Sequence, residues 1–195
     1  MSSVNAGALG RMPALVANTS FEEVYEANVS YVWRIVARLG VRGAAVEDLT
    51  QEVFLVVHRK LHEFEGRSSL RTWIFQIVRR VVRDHRRTCR RKEPHALSGE
   101  APPDLEALPD DPRSGPHDSA AKAEAVRLLY DLLDKLDDDK REVFVLAELE
   151  QMPAPEIAEA LALGVNTVYS RLRLAREAFN LALARHHARD AWRSR

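Results

Sequence analysis

Arg79, Arg80, Arg83, Arg86, Arg87, Arg90 and Arg91 crowd one short stretch of the chain, and the chemistry such a cluster can do is the non-covalent neutralisation of an anion. From Arg67 to Lys92 there are ten Lys or Arg residues and one acid, Asp84. At helical spacing, Leu70, Trp73, Ile74, Ile77, Val78, Val81 and Val82 form an apolar face, and most of the arginines fall on the other side. A solvated charged face usually mixes both signs. With acids almost absent, the pattern predicts a helix that packs by one side and offers the other to a phosphate backbone.

A second stretch, PEIAEALALGVNTVYSRLRLAREAF from Pro155 to Phe179, predicts two helices joined by a tight turn at Gly164. Asn166 is expected to cap the longer one, whose inner face is Val168, Leu172, Ala175, Phe179 and Leu183. Thr167, Ser170, Arg171 and Arg173 point elsewhere, with Arg176 further along. Small polar and arginine side chains near the start of a second helix are what a helix-turn-helix inserts into a major groove. Arg171 and Arg173 suit guanine edges or phosphates, Ser170 and Thr167 suit either, and Arg176 suits phosphate.

Enzymatic signatures are missing. There is no nucleophile–base pairing, no phosphate-binding glycine loop and no carboxylate cluster at metal spacing, so neither catalysis nor a cofactor is expected. Cys89 is the single cysteine, which excludes an internal disulfide and agrees with a reducing cytoplasm. No run approaches the ~20 apolar residues of a membrane span, and the start lacks the pattern of a signal peptide.

The elements around these stretches read as helices throughout. Ser20 and Glu23 fit a capping box at the start of a helix that continues through Val24, Val32, Val36 and Leu39 to a glycine cap at Gly40. A second helix spans 45–64, with Val46, Leu49, Val53, Phe54, Val57 and Leu61 as its core stripe. Phe64 to Ser69 breaks at Gly66, and Ser68 or Ser69 caps the basic helix. Residues 93–118 hold six prolines, seven acids and one base, the composition of a linker. Helical periodicity resumes at Ser119, and Asp137-Asp138-Asp139 suits a helix start.

The zero net charge of the 195 residues hides an uneven distribution. Residues 1–92 carry 16 basic and 9 acidic groups, residues 93–142 carry 6 and 14, and residues 143–195 carry 7 and 6. A basic front implies an anionic partner, and an acidic middle is a candidate intramolecular competitor for it. The expected fold is all-α: two small helical domains, 20–92 and 119–187, joined by a flexible acidic proline-rich linker. A loose extension, 1–19, precedes them and a tail, 188–195, follows.

In this order the stretches resemble the extracytoplasmic-function (ECF) sigma factors of the sigma-70 family. VEDLTQEVFLVVHR, Val46 to Arg59, is similar to the region 2 helix that grips the clamp helices of RNA polymerase. FEGRSSLRTWIFQIVRRVVRDHRR, Phe64 to Arg87, resembles the part that opens and holds the −10 element, and Glu156 to Phe179 resembles the region 4 reader of the −35 element. The resemblance implies polymerase contacts at Asp48, Leu49, Gln51 and Glu52. It implies DNA contacts at Phe64, Gly66, Arg67, Ser68, Phe75, Arg79, Arg80, Arg83, Arg86 and Arg87 in the first half, and at Asn166, Thr167, Ser170, Arg171, Arg173 and Arg176 in the second. Gly66 permits close backbone approach of a flipped base. Trp73 falls on the apolar face and reads as core. Phe75 falls off that stripe and reads as the stacking aromatic. The implied partners are the polymerase core, through its clamp helices and flap, promoter DNA and an anti-sigma factor, all in the cytoplasm. The family often has Asn where Arg80 stands, and Gly where Ala162 stands. The competing readings are a stand-alone helix-turn-helix regulator and a sigma mimic that only binds an anti-sigma factor.

Overall fold

The computed structural model describes residues 20–92 and 116–193; the expected N-terminal extension and most of the expected linker lie outside these. Among the described residues every regular element is helical. The first half has three helices: α1 (Phe21–Arg38), α2 (Ala45–Lys60), which ends in a 3₁₀ turn at Leu61–Glu63, and α3 (Leu70–Lys92). The second half has α4 (Pro116–Leu133), α5 (Asp138–Phe144), a π-helical turn at Val145–Leu149, α6 (Ala154–Leu161) and α7 (Val165–Arg193).

The local signals explain most of the boundaries. Ser20 Oγ accepts from the Glu23 amide at 3.3 Å, and the Glu23 carboxylate accepts from the Ser20 amide at 3.0 Å, which completes the capping box. Ser69 is the residue that starts α3, its hydroxyl accepting from the Thr72 amide at 3.1 Å. Asp137 caps α5 by accepting from the Lys140 amide at 2.9 Å. One cap differs from expectation. The carbonyl of Gly164 accepts from the Val168 amide at 3.1 Å, so α7 begins at Val165 and Asn166 lies inside its first turn. Leu163 and Val168 then occupy the positions of a hydrophobic staple, which favours this earlier start. Ala162 closes α6 in the left-handed conformation, φ 54°.

The halves are packed against each other. α1, α2 and α3 pair with one another, α5 and α6 pack on α7, and contacts of α3 with α6 and of α1 with α4 join the two sets. Their buried side chains form one connected cluster. Arg141 of α5 crosses the junction. Only 4% exposed, it donates to the carbonyls of Leu133 (2.9 Å), Leu136 (3.2 Å) and, from the other half, Leu39 (3.1 Å). Gly40 makes room for it: its φ is +91°, and a Cβ there would stand 1.9 Å from Arg141 Nη1.

Gly40→Ala therefore combines left-handed strain with displacement of a buried guanidinium, and urea unfolding should register a loss of at least ~2 kcal/mol. A second expectation concerns acid. The Asp137 carboxyl is held below its usual range, chiefly by the hydrogen bond from the Lys140 side chain. A depressed folded pKa contributes stability above the unfolded value that is lost as pH falls through the folded one. Asp137→Asn should flatten the acid limb of stability against pH, measured by urea midpoints from about pH 7 to about pH 3.

Candidate nucleic-acid interface

α3 divides its arginines between two directions. Arg80 and Arg87, one heptad apart, are exposed on its outer side. Arg79, Arg83 and Arg86 follow the 3-and-4 spacing of another line and meet acids of α5. The Glu142 carboxylate, 4% exposed, accepts from Arg79 Nε at 2.8 Å and takes a two-pronged bond from Arg83, Nε at 2.8 Å and Nη2 at 3.0 Å. Arg86 pairs with Asp138 and also donates to the Leu39 carbonyl at 3.2 Å. Flanking pairs join Arg38 to Glu150 and Arg42 to Asp134. Arg42 also lies over the ring of Tyr130, 5.2 Å from its centroid.

At the other end of the basic surface, Phe64 and Trp73 are half-buried and their rings lie 5.2 Å apart, tilted by 44°. Trp73 opens onto a groove between α2 and α3 lined also by Glu52, Val56, Arg59, Gln76 and Arg80. Gly66, at φ +67°, has open space where a side chain would stand, so the loop backbone can be approached closely. Arg67 is exposed there and pairs with Glu65.

α6 and α7 form the paired helices near the C-terminus. The inner face of α7 is buried at Val168, Leu172 and Ala175, and Phe179 stacks on Phe144 at 4.6 Å between centroids. Its first turns leave Asn166, Thr167, Ser170 and Arg173 exposed. Arg173 bonds to Glu177 on the next turn at 2.6 Å, Arg176 bonds to Glu148 at 2.6 Å, and Arg171 pairs with Asp139 at 3.1 Å. On α2, Asp48, Gln51 and Glu52 share the exposed side.

Two family models divide the described chain in this same way. Sigma-70 region 2 matches residues 24–92, and Sigma-70 region 4 matches residues 127–179. The ECF RNA polymerase sigma factor SigC of Mycobacterium tuberculosis is 35% identical over 159 residues, covering 82% of this chain and 80% of that one. The chain belongs to the sigma-70 family, among its ECF sigma factors. Solved structures share the fold. The sigma factor RpoE bound to the anti-sigma factor NepR from Bartonella quintana has a TM-score of 0.66 at 20% identity, over 84% of this chain and 96% of that one. CnrH bound to the cytosolic domain of CnrY has a TM-score of 0.63 at 23% identity, over 88% and 94%.

In this sigma factor three sequence expectations change. Phe75 is not an outward aromatic; it is 0% exposed. It lies on the same line of α3 as Arg79, Val82 and Arg86, the line that meets the second half, so α3 has two inward faces where one was expected. Trp73, expected in the core, is instead the half-exposed partner of Phe64. Leu49 is 5% exposed, part of the α2 core stripe rather than its outer side. The remaining expected residues are exposed or partly exposed, and several of the arginines are engaged in the ion pairs described. Two residues escaped the sequence reading. Tyr169 is 59% exposed among the polar residues of the α7 start, and Leu55 is 64% exposed on the side of α2 that carries Gln51 and Glu52. Both are large apolar side chains outside their helix's apolar stripe, which was the available signal. Among the described residues no group of three or more His, Cys, Asp or Glu side chains is placed to hold a metal, and no helix is long and apolar enough to cross a membrane.

Phe64→Ala removes one wall of the Trp73 site. Tryptophan emission should shift to the red, and unfolding should show a loss of about 1 kcal/mol or more from the lost ring pair and its buried area.

Proposed function

We propose that this sigma factor docks on the RNA polymerase core through the outer side of α2, at Asp48, Gln51, Glu52 and Leu55. In this reading it engages the −10 element with the Phe64–Ser68 loop, Trp73 and the arginines of α3, and the −35 element with the start of α7. The observation that carries the reading is one chain joining a basic helix, set beside an aromatic loop, to a second helix with exposed polar first turns. The first suits separated strands, where aromatic rings take unpaired bases and arginines hold the backbone. The second suits duplex DNA, with Asn166, Thr167, Ser170 and Arg173 within reach of base edges and Arg171 and Arg176 along the backbone. Tyr169 adds an apolar contact there.

Each DNA surface is small, and neither holds a promoter tightly alone. Fixing both to one polymerase raises the effective concentration of the second site. The role is one of binding and positioning, with the phosphoryl-transfer chemistry left to the polymerase. It is exercised in the cytoplasm, where polymerase acts. An anti-sigma factor is the class of partner proposed to restrain it.

Transcription by core polymerase over genomic DNA, with and without the protein, tests the reading: new start sites should appear only with it. A protein that protects the same DNA without core and leaves transcription unchanged is a stand-alone regulator instead. Arg80→Ala and Arg87→Ala should each lower the slope of log affinity against log salt by about one for the core-bound complex. Folding stability should stay within ~0.5 kcal/mol, because both side chains are exposed.

A further inference from the structure

Where α3 meets α5 the side chains leave a cavity of about 10 Å³, measured to the centre of a water-sized sphere. Its walls are the arginines Arg79, Arg83, Arg86 and Arg141 and the acids Asp138 and Glu142, with Leu39 and Val82 completing the lining. The acceptors here are heavily used. The Glu142 carboxylate takes three N–H bonds, from Arg79 Nε and from Arg83 Nε and Nη2. The Leu39 carbonyl takes two, from Arg86 Nη1 at 3.2 Å and Arg141 Nη1 at 3.1 Å. Asp138 pairs with Arg86 through the same Nη1. Arg86 Nε is buried, and it donates to no acceptor among the described residues. A buried donor on a cation is costly to leave unmade. What this wall lacks is an electron pair.

We propose that the cavity binds a chloride-sized monovalent anion, held by the Nε–H of Arg86. Size, charge and protons select that guest. Room for one water-sized sphere excludes phosphate, sulfate and organic carboxylates. Four guanidinium groups line the space against two carboxylates. Two further acids, Asp134 and Asp139, pair with Arg141 at 3.4 Å and with Arg83 at 3.3 Å but are not part of the lining. A water accepting from Arg86 would have two protons of its own to place, among a carboxylate and a carbonyl that already accept three bonds and two. A halide has none to place. Leu39 and Val82 set part of the guest against hydrocarbon, which favours the weakly hydrated chloride and bromide over fluoride. The site is independent of which arginines meet DNA.

The test is urea unfolding of the full chain at one pH and one ionic strength, in the sodium salts of gluconate, fluoride, chloride and bromide. An ion bound only by the folded state multiplies the folded-to-unfolded ratio by 1 + [L]/Kd, about tenfold once the halide stands ten times above its Kd. Chloride and bromide should give that gain over gluconate, and fluoride should not. Val82→Ile adds a carbon to the wall, fills the space and changes no charge, so it should abolish the gain and leave the response to the other two salts as it was. Crystals of the protein grown in sodium bromide should show an anomalous peak in contact with Arg86 Nε, and this measurement decides the matter should Val82→Ile not fold.

Equal stability in all four salts overturns the proposal. A chloride and bromide gain that survives Val82→Ile does the same, because it belongs to exposed arginines. So does a bromide crystal whose anomalous peaks all lie on the surface. None of these results touches the sigma assignment.

Discussion

Arg141 is almost out of reach of water, and a guanidinium can be desolvated only where its N–H groups find acceptors. Here the acceptors are mostly main-chain carbonyls: Leu39 past the end of α1, and Leu133 and Leu136 at the end of α4. Carbonyls at these ends have no partner inside their own helices and carry the negative pole of the helix dipole. Asp134 adds a carboxylate at 3.4 Å. Burial pulls the guanidinium pKa down and Asp134 opposes this; an arginine nevertheless keeps its proton. One side chain thus fixes where α1, α4 and α5 stand relative to one another, and Gly40 is the clearance it needs.

The next residue, Glu142, has the opposite charge and faces α3. Alternating sign along α5 sends a cation toward helix ends and an anion toward an arginine line, so a helix of seven residues aligns three others. Charged contacts of this kind are sensitive to geometry and contribute little when exposed. Glu142 differs from the surface pairs because it is buried and bonded to two arginines at once. The exposed pair of Arg173 with Glu177, by contrast, lies within one helix and joins no others.

What could be read before the fold was known follows distance along the chain. The capping box at Ser20, the Asp137 start of α5, the Ser69 start of α3 and the two-helix unit around Gly164 depend on neighbours a few residues away, and all were legible. Phe75 is not legible as core, because periodicity identifies one apolar face per helix while α3 packs on two sides. The Asn166 side chain suits a cap, but the helix starts two residues earlier, where Leu163 and Val168 take the positions of a hydrophobic staple. The pairing of α3 arginines with α5 acids joins residues about sixty positions apart. No local pattern encodes it, and only the excess of acids over bases in 93–142 hinted that something there would answer the basic helix.

α7 runs 29 residues from Val165 to Arg193 without a proline or a glycine. At the usual rise such a helix is about 43 Å long, and its regular bonding leaves no joint along the way. Its first turns carry the exposed Asn166, Thr167, Tyr169 and Ser170, and its far end carries Trp192, 80% exposed. The two ends behave as a single lever: a load applied at the tail is felt at the tip without local unfolding in between.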